Sequence, residues 1–505
     1  MNARRSGEVD APPTPAPTSR PRGAPFPHPE LVFGLALFVL ALAPRALATH
    51  AYAGEPVWDG HYYEFGARRI AAGLGYSDDL TIGGQSVWHP WCHYPVGYSA
   101  FLGLAYWLFG AKLAVANATN VVVGALVPVA TWRLAVTCLS RGRARAAGIV
   151  TALHPGLILY SALTMSEPLA SVLTLAAFTF AAADGQGSLA VRRGPRAPTR
   201  GLAIAGVLLG LSTLVRPTAL LCAPFLLLVA WPRAARGEGG ARGGSLLARA
   251  RTHGAKLTGA AALVAITTLL PVLPWTARNC RVMDGCALVS TNAGWNMAIG
   301  AFPRATGRFE TLRSADGCRE VTGQVQQDRC WLAYGLGWVR REPGRWLALV
   351  PRKLGYTFDH ESFQVEYLHE ARPSAWPDQK RSDARNLLSN FHRVLLVCAA
   401  FAAVAFAPRR RGQVALLAGL CLLGYAASQA ATPTLWPFAV AASLLPFVPV
   451  PGRPEARPGL LLAASLLLTT ALAHAAFFGE DRYHVVASPA LVLLACAAFR
   501  RPARA

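Results

Sequence analysis

Long apolar runs separated by short polar connectors dominate the pattern of this chain. A bilayer core about 30 Å thick needs about 20 helical residues to cross it, and LVFGLALFVLALAPRALAT (31–49) is the first run of that length. The pattern predicts an all-α polytopic membrane protein with about twelve transmembrane helices. The predicted spans are 31–49, 113–138, 146–163, 167–184, 201–215, 218–232, 257–275, 388–407, 413–430, 433–450, 459–477 and 484–499.

The basic residues at the ends of these runs define a topology. If both termini lie in the cytoplasm, every Arg-rich connector faces the cytoplasm, as the positive-inside rule requires. These connectors are 141–145, 192–200, 233–256, 409–411, 452–457 and 500–505. The Pro- and Arg-rich tail 1–30 is then a disordered cytoplasmic segment ahead of an uncleaved first span.

One apolar stretch does not fit the topology as a span. Counting YPVGYSAFLGLAYWLFG (94–110) would reverse every later connector, so we interpret it as an interfacial helix on the outer leaflet. The expected organisation is an N-terminal transmembrane catalytic module (31–276) that includes a first outer loop (50–112). A larger outer loop of mixed structure (277–387) and the C-terminal transmembrane helices (388–505) follow.

Composition supports the membrane class and limits the partners. The chain has 505 residues, of which 53% are hydrophobic and 15% charged, whereas soluble domains carry about 25% charge. The net charge of +23 could indicate nucleic acid binding, but topology accounts for most of it. We therefore expect membrane lipids as partners and no nucleic acid.

Five cysteines fall in the predicted outer regions, where an oxidising space favours disulfides. Their order suggests the local bridges Cys280–Cys286 and Cys318–Cys330, which leave Cys92 unpaired. Four cysteines allow three connectivities, so the pairing rests on proximity in sequence alone.

Two carboxylates lie where predicted spans meet the outer surface. Asp59 opens WDGHYYEF (58–65), ringed by aromatic residues, and Glu167 lies in LTMSEPLA (163–170) where one span ends and the next begins. A lone Asp is more often a solvated loop carboxylate, and Glu167 could simply favour a helix N-terminus through the macrodipole. Counting the predicted spans between them places both carboxylates on the same side of the membrane, which indicates a shared site.

Three arginines also face outward, in apolar contexts where the positive-inside rule gives no reason for a cation. They are Arg216 in LSTLVRPTALL, Arg278 in PWTARN and Arg482 in GEDRYHVV. Arginine at a membrane edge can snorkel, but planar guanidinium groups are also suited to holding a phosphate.

The first-loop acids Glu64, Asp78 and Asp79, together with Asp59, could hold a divalent metal ion through oxygen ligands. WHPWCHYP (88–95) could supply nitrogen and sulfur ligands, although an aromatic surface patch is the simpler interpretation. No cofactor follows with certainty.

The ordered set of motifs resembles the GT-C superfamily of integral-membrane glycosyltransferases, in the branch of bacterial family 39 and aminoarabinose-transferase-like enzymes. The resemblance covers nearly the whole chain and rests on order, since no single motif is specific. The segments are D-x-x-Y-Y-x-x-x-A (59–67), GLGY (73–76), YPVGYSAFLGLAYWLFG (94–110), HPGLILYSALTMSEPLA (154–170), LVRPT (214–218), PWTARN…STNAGWNMAIGAFPRATG (274–307) and DRYHVVASP (481–489).

The resemblance implies transfer of a sugar from a polyprenyl-phosphate donor to an acceptor on the non-cytoplasmic side of a bacterial inner membrane. Asp59 would be the general base or acceptor-orienting carboxylate, and Glu167 the second acid. Family members often carry a second acid directly after the first, where this chain has Gly60, so Glu64 or His61 would have to substitute for it. Arg278, Arg482, Arg216 and Lys353 would meet the phosphate, and Tyr63 and Tyr483 would line the substrate site. One displacement would invert the anomeric centre.

Two other classes remain open at this point. A transporter or lipid-linked glycan flippase keeps ionisable groups near the membrane midplane, whereas the candidates here gather at one face. A polysaccharide polymerase or ligase shares lipid-linked substrates but not this order of motifs. The sugar, the acceptor and the polyprenol length do not follow from the sequence.

Overall fold

A computed structural model describes residues 29–186, 199–230, 246–404, 418–419, 434–448 and 456–498. The described residues form a mainly helical protein with one β-hairpin, β1 (Ser77–Ile82) and β2 (Gln85–Pro90). The helices up to the first gap are α1 (Pro29–Tyr52), α2 (Trp58–Ala71), α3 (Val96–Phe109), α4 (Leu113–Cys138), α5 (Arg141–Ala152), α6 (Pro155–Tyr160) and α7 (Glu167–Gln186). Those that follow are α8 (Thr199–Val215), α9 (Leu246–Leu269), α10 (Leu273–Val282), α11 (Ala293–Ile299), α12 (Gln324–Arg341), α13 (Pro343–Phe358), α14 (Phe363–Ala371), α15 (Asp378–Val404), α16 (Trp436–Leu444), α17 (Pro458–Ala476) and α18 (Ser488–Ala495). The 3₁₀ helices are Pro217–Val229, Ser314–Asp316, Pro373–Ala375, Leu445–Phe447 and Asp481–Val486.

Four described helices are long and apolar enough to cross a membrane: α1, α4, α15 up to Ala403, and α17. Gly254–Leu269 and α10 make a fifth span if they count as one helix bent by 51°. Shorter apolar helices accompany them: α3, α7 up to Ala183, α8, Pro217–Val229 and Trp436–Phe447. The described residues thus support the polytopic class, but not the expected count of about twelve long spans.

Proline explains several of the shorter elements, because it lacks the N–H that continues a helix. The predicted span 146–163 is divided into α5 and α6, and Pro155 begins the second helix. The predicted span 218–232 overlaps the 3₁₀ helix Pro217–Val229, which begins at Pro217 and contains Pro224. The predicted span 413–430 lies outside the described residues, apart from residues 418–419, as do the tail 1–28 and much of the basic connectors.

Alanine and leucine dominate the largest core, which joins α1, α4, α5, α7, α8 and α15–α18. Small residues let the backbones approach: a Cβ built on Gly206 would lie 1.9 Å from Thr267 Oγ1 on α9, and one on Gly210 would lie 2.1 Å from Thr268 O. A second core, rich in tyrosine, lies where α2, α3, α14 and the beginning of α7 meet. The candidate carboxylates lie beside this second core.

The predicted first outer loop consists of α2 packed on α3, with the hairpin between them. Asp79 pairs with Trp88 and Ile82 with Gln85 in an antiparallel register. The two-residue turn is Gly83–Gly84, with φ of 59° and 81°, a backbone that favours glycine. The all-α prediction missed this hairpin. The helix α3 has 14 residues, about 21 Å, which is too short to cross the hydrocarbon core.

The predicted second outer loop, 277–387, is helical rather than mixed. It contains α11–α14, and its one strand-like contact is an isolated bridge from Arg308 to Gly479. Cys280 is bonded to Cys286 and Cys318 to Cys330, the two pairs given by their order in sequence. Cys92 is buried and has no disulfide partner. The second disulfide lies in a small core that also contains Trp331 and Phe302. This core lies where α12 packs against α11.

Candidate functional site

Asp59 lies in the first turn of α2, and its carboxylate is an ion-pair partner of Arg482. Asp59 Oδ2 is 2.5 Å from Arg482 Nη1, and the Tyr94 hydroxyl donates to Asp59 Oδ1 at 2.9 Å. Burial alone would raise the pKa of Asp59, but the charge of Arg482 and the hydrogen bonds from Tyr94 and Arg482 hold this pKa below its usual value. Its side chain is 24% exposed, so the ionised carboxylate remains reachable from outside.

Arg482 is held from several sides on the 3₁₀ helix Asp481–Val486. Its Nε lies 2.7 Å from a carboxylate oxygen of Glu480, and its Nη2 donates to the Tyr483 hydroxyl at 3.2 Å. The guanidinium also lies 4.9 Å from the ring centroid of Tyr483 and 5.3 Å from that of Phe363. Two carboxylates thus face one buried cation, which therefore stays charged.

A second ion pair joins Glu167 to Arg216. Glu167 Oε1 is 2.6 Å from Arg216 Nη1, and the Glu167 side chain is fully buried. Glu167 begins α7, so the helix macrodipole favours its negative charge, while Arg216 follows the last residue of α8. The Ser166 hydroxyl lies within hydrogen-bond reach of Glu167, Arg216 and the Tyr63 hydroxyl, at 3.5, 3.3 and 3.5 Å respectively.

Tyr63 and Tyr483 connect the two ion pairs. Arg216 lies 5.8 Å from the centroid of the Tyr483 ring, whose other neighbour is Arg482. Tyr63 lies in the field of both carboxylates, Asp59 and Glu167. The structure therefore brings together the two sequence-predicted acids, two of the predicted arginines and both predicted tyrosines.

The backbone at Trp58 and Gly60 positions Asp59. Trp58 has φ of 49°, the one positive value at a non-glycine residue among the described residues, and its ring packs between Phe363 and Tyr367. A Cβ on Gly60 would lie 2.1 Å from Tyr367 Oη and 3.0 Å from Thr164 O. Close packing thus requires glycine at position 60, where the sequence resemblance would lead one to expect a second acid.

Neither of the suggested substitutes takes the place of that second acid. Glu64 accepts from Arg68 at 2.5 Å and from the Tyr106 hydroxyl at 2.9 Å, which binds it to α2 and α3. His61 is exposed, and its ring contacts the neighbouring Tyr62. Neither contacts Asp59.

Arg278 and Lys353 lie outside the two ion pairs. Arg278 donates to the carbonyl oxygens of Tyr76 at 2.7 Å and Trp91 at 3.1 Å, and so ties the first outer loop to α10. Lys353 donates to the carbonyl oxygens of Ala475 and Ala476, where a cation suits the C-terminus of α17. Burial, with a contribution from Arg345, lowers the pKa of Lys353 to about 8.

The first-loop acids do not form a common metal site in the described structure. Asp79 pairs with Arg69 at 2.6 Å, and Asp78 Oδ1 is 2.6 Å from His89 Nδ1. Among the described residues, one group of three His, Cys, Asp or Glu side chains has the spacing of metal ligands, and it lies elsewhere: Glu361, His392 and His484.

Sequence reasoning missed Tyr94 and Glu480, which touch the Asp59–Arg482 ion pair directly. Tyr94 stands in the quoted YPVGY segment, but its aromatic class suggested only an interfacial position. Glu480 adjoins Arg482 in GEDRY, and an acid within two residues of a buried arginine was a usable signal.

A cavity opens beside Arg216, between α7, α8 and α17. Hydroxyl groups, the stacked rings of His474 and Tyr483, and apolar side chains line it. The hydroxyl-bearing residues are Thr174, Ser212, Thr218, Thr469 and Thr470. The cavity is small, about 20 Å³, which is room for about one water molecule.

No protein-family model and no curated protein sequence matches the chain. Among solved structures, it is similar to the archaeal oligosaccharyltransferase AglB from Archaeoglobus fulgidus in complex with an inhibitory peptide and a dolichol-phosphate. The identity is 15% over 92% of this chain and 50% of that chain, with a TM-score of 0.43. It is also similar to a crystal structure of the Archaeoglobus fulgidus oligosaccharyltransferase tethered with an acceptor peptide. There the identity is 14% over 93% of this chain and 49% of that chain, with a TM-score of 0.46. The chain thus spans about half the length of these oligosaccharyltransferases.

The chain is also similar to ArnT from Cupriavidus metallidurans bound to undecaprenyl phosphate. The identity is 15% over 88% of this chain and 89% of that chain, with a TM-score of 0.36. This aminoarabinose transferase is of the type that the sequence resemblance names.

Proposed function

We propose that this protein is a glycosyltransferase that moves a sugar from a polyprenyl-phosphate donor to an acceptor at the outer face of the membrane. One observation carries the proposal: the ionised carboxylate of Asp59 and the cation of Arg482 lie together at 2.5 Å, partly exposed, beside the second pair of Glu167 and Arg216. A carboxylate next to clustered guanidinium groups supplies both charges that glycosyl transfer from a phosphate needs.

The proposed reaction is one displacement at the anomeric carbon. An acceptor hydroxyl or amine forms a bond to that carbon, while the bond from carbon to phosphate oxygen breaks and its electron pair leaves with the lipid phosphate. The acceptor proton goes to Asp59, and the configuration inverts. Because a phosphate is already a stable leaving group, the step needs no general acid.

Arg482 is the residue best placed to meet the leaving phosphate. Arg482 forms ion pairs with both Asp59 and Glu480. A phosphate that lies next to Asp59 therefore also lies next to the Arg482 guanidinium. Arg216 borders the polar cavity and can contribute a second cation. Charge-assisted hydrogen bonds to phosphate are the strong ones, which favours arginine at these positions.

The proposal places the site at the membrane edge and on the outer side. The donor stays in the membrane because its tail is lipid, and Asp59 follows the first apolar helix by a few residues. The outer side follows from the basic connectors, with both termini in the cytoplasm of a bacterial inner membrane.

Turnover of lipid-linked sugars tests the proposal. Membranes that contain the wild-type protein should lose one polyprenyl-phosphate sugar and gain free polyprenyl phosphate and a glycosylated product. Membranes with Asp59→Asn at the same protein level are the matched control and should do neither. Movement of an intact lipid-linked sugar across the bilayer, with no cleavage of the sugar–phosphate bond, would identify a flippase and overturn the proposal.

A further inference from the structure

Glu361, His392 and His484 converge in a buried cluster that the proposed reaction does not use. Glu361 lies between α13 and α14, His392 on α15 and His484 on the 3₁₀ helix Asp481–Val486. Their side chains are at most 2% exposed. Glu361 Oε2 is 3.4 Å from His484 Nε2 and 3.7 Å from His392 Nδ1, and the three ligand atoms all lie within 4.8 Å of one another.

Backbone carbonyls fix the protons of both rings. His392 Nε2 is 3.0 Å from Phe358 O, and His484 Nδ1 is 2.7 Å from Thr357 O. A carbonyl only accepts, so these nitrogens carry the hydrogens and the opposite nitrogens of the neutral rings present lone pairs to Glu361. This arrangement, in which a ligating histidine donates its other N–H to a carbonyl, is the usual one in metal sites.

Several polar atoms around Glu361 have no partner among the described residues. They are His392 Nδ1, Gln364 Oε1 and His154 Nε2. Gln364 donates to the other oxygen of Glu361 at 2.8 Å, and His154 interacts electrostatically with Glu361. Buried polar atoms nearly always have a partner, so an unpaired set around one carboxylate indicates that a ligand binds there.

We infer that Glu361, His392 and His484 bind a divalent transition-metal ion, and that the donor set selects zinc. Two imidazole nitrogens and one carboxylate oxygen are common zinc ligands, and tetrahedral bonds of about 2.0–2.1 Å place ligand atoms about 3.3 Å apart. The two distances from Glu361 are close to that spacing. The imidazole rings are stacked, with centroids 3.9 Å apart and an angle of 22° between their planes, so binding of the ion requires one ring to turn its nitrogen toward it.

The position of the cluster gives the ion a structural role. It joins the end of α13, α15 and the 3₁₀ helix that carries Arg482, which lies two residues before His484. Gln364 donates its amide N–H to Glu361 and has an unpaired Oε1, so its side chain is a candidate for the fourth position once the amide turns. The site holds whether or not the proposed glycosyl transfer is correct, because nothing in its geometry depends on a sugar or a phosphate.

Metal content measures the site directly. The full chain is purified in detergent through a tag without histidine, and its zinc is quantified by elemental mass spectrometry. We expect about one zinc per wild-type chain, as for a closed structural site, and a large loss in Glu361→Gln and His392→Ala. His50→Ala is the matched control, since His50 is exposed at the end of α1, and it should keep the ion.

A second measurement on the wild-type chain guards against variants that fail to fold. Protein stripped with a chelator should gain thermal stability when Zn²⁺ is restored. Co²⁺ should give the visible absorption of a tetrahedral site, and Glu361→Gln should abolish it. Wild-type protein that contains no metal, and shows neither stabilisation by Zn²⁺ nor a Co²⁺ spectrum, would overturn the inference.

Discussion

Asp59 and Arg482 are 423 positions apart in the chain, yet their charged groups meet at 2.5 Å. The contact joins the beginning of α2 to the segment before the last described helix. In the ground state Arg482 keeps the pKa of Asp59 low, after burial has raised it, so the carboxylate is ionised but weakly basic. A donor phosphate that shares Arg482 would make Asp59 a stronger base when the acceptor is in place.

Asp59→Asn should nearly abolish transfer and leave the protein folded. The amide keeps the size and the hydrogen bond from Tyr94 but cannot accept a proton, and loss of a general base typically costs about 10²–10⁴ in rate. Single-turnover assays with purified protein measure the effect, and Glu64→Gln is the matched control. A wild-type rate in Asp59→Asn would exclude Asp59 as the base.

Arg482→Gln should lower kcat/KM and should also shift the pH dependence of kcat/KM. Because the pKa of Asp59 is depressed in the folded protein, its ionised form persists above about pH 4, the ordinary pKa of Asp, and is lost as the pH falls through the lower folded value. Without Arg482, burial dominates, the pKa rises, and the acid limb moves to higher pH. Arg278→Gln should leave the limb in place.

The two arginines should also differ in how they affect the donor. Arg482→Ala should weaken donor use by the loss of a charge-assisted contact, about 1.5–3 kcal/mol, whereas Arg278→Ala should mainly lower thermal stability, since Arg278 binds two backbone carbonyls. Donor titrations and melting curves on the same preparations separate the effects. If Arg278→Ala instead impairs donor binding with unchanged melting, Arg278 belongs with the phosphate ligands, as the sequence suggested.

Gly60→Ala should destabilise the protein by about 1–3 kcal/mol through overpacking. The added methyl group would lie 2.1 Å from Tyr367 Oη. Tyr367→Phe removes that oxygen and should restore part of the stability in the double variant, although it also removes the acceptor for the Val57 N–H. Equal melting temperatures for Gly60→Ala and wild type would show that the loop has room for a second side chain.

Reporter fusions test the sidedness of the proposed site. A fusion after residue 90, 300 or 375 should report the outer side, and one after 145, 240 or 410 the cytoplasm, because the basic connectors stay inside. Fusions after 90 and 145 that report the same side would show that 94–110 crosses the membrane after all.

The sequence identified the clustered charged groups better than it identified their partners. Asp59 and Glu167 stood out because they lie where predicted spans meet the outer surface, and Arg216 and Arg482 because each interrupts an apolar context. The structure brings the four together in two ion pairs. Arg278 interrupts one in the same way, yet its ligands are backbone carbonyls, which carry no signal in a residue pattern.

Local chemistry likewise decided which elements could be recognised. The span 146–163 is apolar, but Pro155 restarts the helix within it, so hydropathy alone overstates its length. The sequence signal of the hairpin was the pair Gly83–Gly84 between two segments in which apolar and polar residues alternate. The mainly helical pattern of the rest of the chain outweighed this signal. The cluster around Glu361 combines three distant segments, and no spacing rule could connect them.

The turn at Gly83–Gly84 is a suitable insertion site for an epitope in the intact protein. Nothing lies within 4 Å of a Cβ built on either glycine, and the neighbouring Leu80, Ile82 and Val87 are exposed. A short epitope inserted there would extend into open space without moving α2 or Asp59. Antibody access to that epitope in intact cells would then report on which side of the membrane the hairpin lies, while the fold around Asp59 stays intact.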